Sequence, residues 1–352
     1  MKKELIIAIS CFVSCMNVQA QDIHFSQANH SPLTLNPGLA GANYDMQATV
    51  NYRSQWNSVS SPFQTIACSF DARLNPNKRQ KKAHFALGVN FFNDKAGETN
   101  LVTNNANLTL ASHVLLSKSS TIGAGISIGW LQRSIVGQNG MWDNQYNGMH
   151  YDPTLSSGES FLNASFSTID AAAGLVYTYA STEGFMSQNN SKVINVGFSA
   201  FHLTRPNFSF ITSKSERMHM RFSAFVNGSF GIKRSKMLVE PAIYFHNQGK
   251  LRELTFGTYG RVILSGPSKA TGFVKKTSLA LGLFCRNQDA LIAKFHFEWN
   301  GLGVGLSYDM NISKLAQVSR ARGGTEISMR WVMGDLHFNR TSNIYRKRKY
   351  SF

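Results

Sequence analysis

The stretch that decides the fold is YDMQATVNYRSQW, Tyr44–Trp56, which closes a longer segment that begins at Gln21. Its residues alternate strictly between two faces. The apolar and aromatic face carries Tyr44, Met46, Ala48, Val50, Tyr52 and Trp56, and the polar face carries Asp45, Gln47, Thr49, Asn51, Arg53 and Gln55. A period of two predicts a β-strand with one apolar and one wet surface.

The same alternation recurs downstream, separated by short turn sequences. Particularly regular runs begin near Ile66, Phe85, Ile122 and Leu279. Asn300-Gly301 stands between two alternating runs, which is the strongest hairpin signal in a sequence. We predict about fourteen strands, an even number that is typical of bacterial outer-membrane barrels. Between 132 and 163 the alternation stops, which predicts a long outer loop containing Val136–Ser160.

Composition and charge placement favour a membrane barrel over a soluble β-sandwich. Hydrophobic residues make up 43% of the chain, and no apolar run approaches the ~18 residues that a transmembrane helix needs. The face opposite the apolar one suits a crowded polar lumen, since its charged residues lie well inside strands. They are Arg53, Arg73, Arg133, Lys294, Glu298, Asp309, Glu326 and Arg330. The aromatic residues Tyr44, Trp56, Trp130, Trp299 and Trp331 lie near strand ends, as interfacial girdles require. The predicted fold is all-β, a transmembrane antiparallel barrel spanning residues 44–333.

Three segments lie outside the predicted barrel. Residues 1–20 have a basic start, an apolar core and a small-residue cleavage site, which predicts a secretory signal peptide. The alternative is a lipoprotein acylated at Cys15. Residues 21–43 contain Pro32 and Pro37, so we expect a mostly extended segment across the periplasmic mouth, or else a flexible leader. Its anchors would be Phe25, Leu33, Leu35 and Leu39. Residues 334–352 form a basic tail.

The N-terminal stretch also resembles the opening signature of the PorP/SprF family, outer-membrane proteins of bacterial type IX secretion and gliding. The residues that carry the resemblance are Phe25, Ser26, Gln27, Asn36, Pro37, Ala40, Gly41, Tyr52, Arg53, Gln55 and Trp56. The closing Gly323–Trp331 resembles the family's last strand, with Thr325 where an aromatic or apolar residue is usual. The resemblance implies a non-enzymatic component that assists export or surface attachment of a large adhesin-like surface protein. It also implies contact with the periplasmic ring complex of the secretion machinery.

The net charge of +17 is concentrated in predicted turns. Because an exported protein does not meet nucleic acid, we expect outer-membrane lipid and periplasmic proteins as partners. The predicted docking residues are Lys78, Arg79, Lys81, Lys82, Arg346, Lys347, Arg348 and Lys349. The alternative is that these are solvated side chains that meet only lipid headgroups.

No enzymatic motif with usable spacing occurs in the sequence. Gly123–Gly129, GAGISIG, superficially resembles a dinucleotide fingerprint, but it lies along a strand, where small residues suit a crowded lumen. His24, His30 and Asp22 lack a spacing that fixes metal geometry. We expect no cofactor, and we expect Cys68 and Cys285 to be unpaired on the lipid faces of distant strands.

Two other function classes remain open from the residues alone. The main alternative is a transport channel for a small solute, with a lumen lined by Asn51, Arg53, Asn107 and Lys294. The other is a surface lipase, which would need a Ser, His and Asn constellation on the barrel exterior. The scattered histidines His84, His113, His202, His246 and His296 fit lumen positions better.

Overall fold

A computed structural model gives the architecture of the chain. It describes residues 22–58, 61–74, 83–97, 100–117, 119–135, 142–158, 164–183, 190–210, 216–233, 235–265, 277–313 and 316–335. The predicted signal peptide, residues 1–20, lies outside them.

Fourteen antiparallel strands form one closed barrel in which each strand pairs with its sequence neighbours and β14 pairs with β1. The strands are β1 (Tyr44–Gln55), β2 (Phe63–Arg73), β3 (Ala83–Ala96), β4 (Leu101–Leu115), β5 (Ser120–Ile135), β6 (Ser165–Glu183), β7 (Asn190–Phe201), β8 (Arg221–Gly231), β9 (Met237–Gln248), β10 (Leu251–Ser265), β11 (Thr277–Arg286), β12 (Ala290–Trp299), β13 (Leu302–Asn311) and β14 (Arg322–Asp335). The predicted fold class and strand number are confirmed. Closure leaves no unpaired sheet edge, as a barrel in lipid requires.

The alternation in sequence corresponds to outward and inward faces of the wall. The outward face is an apolar belt of exposed side chains, for example Val50, Phe70, Ile128, Leu283 and Met329. Trp130, Trp299 and Trp331 are exposed on the same surface, as predicted for girdle residues. Among the described residues, no helix is long and apolar enough to cross a membrane.

The structure explains the positions of two residues, Trp56 and Pro241, that the alternation pattern does not account for. Trp56 lies just beyond β1 with a positive φ of 58° and packs edge-on against Phe63, so it does not continue the β1 face. Pro241 lies inside β9 although proline cannot donate a backbone hydrogen bond to a neighbouring strand. It pairs with Thr258 on β10, while the pairing of β9 with β8 is interrupted between Ala242 and Val239, so the missing proline N–H falls at a gap in the ladder.

The two cysteines fall on well-separated strands. Cys68 on β2 is exposed, Cys285 on β11 is partly exposed, and both are free thiols. Both lie on distant strands, as predicted.

The barrel has two distinguishable ends. We call the near end the one where β1 begins and β14 ends, and the far end the opposite one. The two longest connections between strands, 136–164 and 202–220, both leave from the far end. Part of the first is described: it contains the short helical turn Asp143–Gln145 and a bridge between Tyr146 and Tyr151.

The lumen is filled, and one wall of it is apolar. Inward-facing Val176, Phe225, Tyr244, Tyr259, Phe284 and Ile292 form a buried cluster with Leu35 and Leu39 of the N-terminal segment. The prediction of a polar lumen is therefore only partly right. The apolar wall has a physical reason: burying this cluster against the segment removes apolar surface from water.

Candidate functional site: the lumen and its N-terminal segment

Residues 22–43 run through the barrel from the far end to the near end. Asp22 contacts residues at the far ends of β8 and β9, and Gly41 contacts residues at the near ends of β2 and β3. This differs from our expectation of an extended segment across one mouth. The segment contains three helical turns, Ala28–His30, Pro32–Leu35 and Pro37–Leu39, which shorten it to fit the lumen. The expected anchors Phe25, Leu33, Leu35 and Leu39 are all buried.

A buried charge network holds the far-end part of the segment. We call it the Ser26 cluster, and its members are Ser26, Arg53, Arg286, Lys294, Asp309 and Glu326. The Ser26 hydroxyl lies 2.8 Å from both carboxylate oxygens of Asp309 and accepts from Arg286 Nη2 at 2.8 Å and Arg53 Nη1 at 3.1 Å. Its backbone N–H donates to Glu326 Oε2 at 2.8 Å, and its carbonyl accepts from Lys294 Nζ.

The wall residues of the Ser26 cluster also pair with one another. Asp309 Oδ2 lies 3.1 Å from both Arg53 Nη2 and Arg286 Nη2. Arg53 is 2% exposed, so its charge depends on these partners and not on water. Breaking one member of a buried pair leaves an uncompensated charge, at a typical cost of about 3–5 kcal/mol. The cluster therefore fixes the segment at one position in the lumen.

The next residues continue the contact with β14. Gln27 donates from its backbone N–H to Glu326 Oε1 at 3.0 Å, and its side-chain oxygen accepts from Ser328 Oγ at 2.8 Å. His30 Nδ1 lies 2.6 Å from the same hydroxyl, and the His30 ring packs edge-on against His296. One hydroxyl on β14 thus joins two residues of the segment to the wall.

Asn36 fixes the middle of the segment to β6 and β7. Its side-chain amide donates to the backbone carbonyls of Leu175 and Phe198 at 3.1 and 3.0 Å, and its side-chain oxygen accepts from Gly38 N–H at 2.7 Å. The approach needs glycine in the wall, because a Cβ on Gly174 would lie 2.1 Å from Asn36 Oδ1.

Gly125 on β5 serves the same purpose. A Cβ on Gly125 would lie 2.5 Å from the Pro37 backbone, so a glycine is needed there for the segment to touch the wall. The GAGISIG stretch therefore contacts the segment through Gly125.

The near-end contacts are hydrogen bonds to backbone groups. Gly41 N–H donates to Asp71 Oδ2 at 2.8 Å, and the Gly41 and Ala40 carbonyls lie 3.2 and 2.7 Å from His84 Nε2 and His113 Nε2. Gly41 has a φ of 63°, a conformation that glycine adopts readily, and the chain turns there into β1.

A second charged group, the Asp22 cluster, lies at the far end and comprises Asp22, Asp170, His202 and Arg221. Asp22 Oδ2 lies 2.9 Å from Arg221 Nη1 and 3.1 Å from His202 Nε2, while His202 Nδ1 lies 2.6 Å from Asp170 Oδ2. Burial by itself would lower the pKa of His202, but the hydrogen bonds and charges of Asp170 and Asp22 outweigh it and raise that pKa to about 9. Burial would raise the pKa of Asp22, and Arg221 with His202 reverses this and lowers it. The His202 side chain is therefore a cation at neutral pH.

Most residues of the family signature lie at the interface between the segment and the barrel wall. Ser26, Gln27, Asn36, Gly41 and Arg53 all make the contacts described above, and Pro37 and Ala40 are buried beside them. Phe25 packs with Ala67 and Phe92. Tyr52 faces outward and Trp56 lies beyond β1.

The sequence alone does not predict the Asp22 cluster, because nothing in it links Asp22 to Asp170, His202 and Arg221. The available signal was charge at the inward positions of strand ends, as at Asp170 and Arg221.

The predicted docking residues could not be located. Lys78, Arg79, Lys81 and Lys82 and Arg346, Lys347, Arg348 and Lys349 lie outside the described residues. Lys233 and Lys236, in the near-end turn between β8 and β9, are described and exposed.

Three of the four residues proposed to line a pore contact the segment instead. Asn51 donates to the His30 carbonyl at 3.1 Å, while Arg53 and Lys294 belong to the Ser26 cluster. Asn107 bonds to Asn105 within β4.

The five scattered histidines face inward or, like His202, bond to the segment. In the part of the chain that is described, no group of three or more His, Cys, Asp or Glu residues is placed to hold a metal ion.

Comparison with solved structures finds similarity to several membrane proteins. A mutant TodX monoaromatic hydrocarbon channel is 9% identical, with 88% of this chain and 94% of that chain covered and a TM-score of 0.43. A Pseudomonas aeruginosa FadL homologue is 10% identical, covering 86% and 94%, with a TM-score of 0.44. The translocator domain of the Neisseria meningitidis autotransporter NalP is 9% identical, covering 93% and 96%, with a TM-score of 0.34. No curated protein matches the chain.

A family model spans nearly the whole barrel and the segment inside it. Described as "Type IX secretion system membrane protein PorP/SprF", it matches residues 17–331. Together with the closed barrel and its apolar belt, this places the protein in the outer membrane. The chain belongs to the PorP/SprF family of type IX secretion system membrane proteins.

Proposed function

We propose that this protein is a non-catalytic platform of the type IX secretion machinery, which assists export or surface attachment of a large adhesin-like protein. The observation that carries the proposal is the filled lumen. Leu35 and Leu39 are buried in an apolar cluster with the wall, and the Ser26 cluster fixes the segment at the far end. A barrel filled in this way works through the surfaces at its two ends.

The near end is proposed to face the periplasm. Long loops belong to the extracellular side of outer-membrane barrels, and both of the longest connections leave from the far end. The basic turn 78–82, the exposed Lys233 and Lys236 and the tail 346–349 would then all face the periplasmic ring complex. Positive charge at this end suits an acidic partner.

A solute channel is less well supported. It would need Asn51, Arg53 and Lys294 to face water, but their side chains bond to the N-terminal segment. We therefore retain the platform as the proposed role.

A pull-down from outer-membrane extracts tests the proposal. We expect wild-type protein to recover periplasmic secretion components and one giant exported protein. Deleting residues 344–352 and replacing Lys78, Arg79, Lys81 and Lys82 with Gln should reduce recovery of the periplasmic components. A matched control replaces the far-end cations Lys250 and Arg252 with Gln, and it should leave that recovery unchanged. Equal recovery from the near-end variant and wild type would contradict the docking role.

A further inference from the structure

A hollow interrupts the outward surface of the barrel between β5 and β9. Its volume is about 430 Å³, within the usual range for ligand sites, and almost all of its lining is apolar. A barrel exterior is normally convex, so a hollow of this size in the lipid-facing belt is a specific feature.

The hollow arises from one small side chain between large ones. In the register, Phe198 of β7 pairs with Ala224 of β8, and Ala224 pairs with Phe245 of β9. The two rings flank the methyl group of Ala224, so it forms the floor. The Phe198 ring also stacks on Phe222, at 6.1 Å between centroids, which fixes one wall of the hollow.

A row of cations lies at the near-end rim beside the hollow. Lys192 is exposed and shares the outward side of β7 with Val196 and Phe198. The register places Lys192 beside Phe230 of β8, and the turn that follows β8 carries the exposed Lys233 and Lys236. An apolar hollow and a cationic rim therefore follow one another along the same strand.

The distance between Lys192 and the hollow matches the thickness of the hydrocarbon layer of one leaflet. Four to six residues separate Lys192 from Val196 and Phe198, which is about 13–20 Å along a strand and about 10–15 Å along the membrane normal at a typical tilt. Half of a hydrocarbon core is about 15 Å thick. A headgroup at Lys192 would thus place its acyl chain at the depth of the hollow.

We propose that this surface binds an anionic glycerophospholipid, with its phosphate on Lys192 and Lys233 and one acyl chain over Ala224. The site is distinct from the secretion role. It rests on the proposed function only in its orientation, which assigns the near end to the periplasmic leaflet. The ligand class follows from the charge of the rim and from the apolar lining in a belt that faces lipid.

The test uses purified protein in nanodiscs of phosphatidylethanolamine and phosphatidylglycerol, with a photoreactive group on the phosphatidylglycerol acyl chain. We expect labelling to concentrate in peptides of β7 and β8. Ala224→Leu fills the hollow from the lipid side and should abolish this concentration. Ala293→Leu, at an exposed position on β12, is the matched control and should leave the labelling of β7 and β8 unchanged.

Lys192→Gln tests the headgroup. At the energy typical of one lysine near an anionic surface, it should lower the preference for phosphatidylglycerol over phosphatidylethanolamine about fivefold. Lys250→Gln, at the far end, should leave the preference unchanged.

Labelling spread evenly around the belt, or unchanged by Ala224→Leu, would overturn the site. Lipopolysaccharide or a co-purified protein in the hollow of protein extracted from its own membrane would also overturn it. Both variants leave residues 78–82 and the C-terminal tail intact, so the pull-down result is independent of this outcome.

Discussion

Replacing Ser26 with alanine is the sharpest perturbation of the filled barrel. One hydroxyl can donate one hydrogen bond and accept two. In the Ser26 cluster it uses all three, donating to Asp309 and accepting from Arg53 and Arg286. Ser26 is 3% exposed, so water cannot replace the lost partner without entering the lumen.

The expected loss in the free energy of unfolding depends on which interactions remain after the substitution. Three hydrogen bonds to charged groups at about 1.5–3 kcal/mol each would give an upper bound well above 4 kcal/mol. However, Asp309 still pairs directly with Arg53 and Arg286 at 3.1 Å, which retains most of the Coulomb energy. We therefore expect Ser26→Ala to lower the free energy of unfolding by about 2–4 kcal/mol.

The assay is equilibrium urea unfolding of the refolded protein in lipid vesicles. Ser167→Ala, at an exposed outward position of β6, is the matched control and should change the unfolding free energy by less than about 0.5 kcal/mol. Because the two groups are in contact, Ser26→Ala and Asp309→Asn should be non-additive by at least about 0.5 kcal/mol. A Ser26→Ala protein as stable as the control, or strict additivity, would refute the reasoning.

Three further predictions concern other parts of the barrel. The raised pKa of His202, about 9, means that its contribution to stability is complete below the ordinary pKa of about 6.5 and is lost as pH rises through about 9. Wild type should therefore lose up to about 3 kcal/mol between pH 6.5 and pH 10 in urea titrations, and a His202→Gln variant that lost as much would contradict this. Gly125→Ala should destabilise the barrel by at least about 1 kcal/mol, as overpacking of a core does. Gly260→Ala is the control, because open space surrounds its Cβ position, and it should leave the stability unchanged. Equal melting temperatures of the two variants would count against tight packing of the segment. Oxidation should not join Cys68 to Cys285, because they lie on distant strands. The monomer should therefore show the same mobility on gels with and without reductant. A reductant-sensitive shift of the monomer would be inconsistent with the strand order.

The fold was predictable because its signal is local. Alternation such as Val50 against Asn51 assigns each residue to a face, and a slip of one residue would invert the whole strand. The outward positions of Cys68 and Trp130 and the inward positions of His113 and Lys294 followed from that rule alone.

The route of the N-terminal segment was not predictable in the same way. Its contacts join residues about 300 positions apart, as between Ser26 and Glu326, and no periodicity encodes such a pairing. The segment has mixed polar and apolar residues because it meets a charged wall at Ser26 and an apolar wall at Leu35. In the sequence alone, such a mixture of polar and apolar residues cannot be distinguished from that of a flexible N-terminal segment on the protein surface.

Conductance across a planar lipid bilayer tests the central claim most directly, that the N-terminal segment fills the lumen. Purified wild-type protein should insert without producing current steps, since the segment lies in the lumen and is held there by the Ser26 cluster and the apolar cluster around Leu35. Reproducible, steady current steps from the wild-type protein, with an amplitude that scales with salt concentration, would contradict the claim and favour a transport channel.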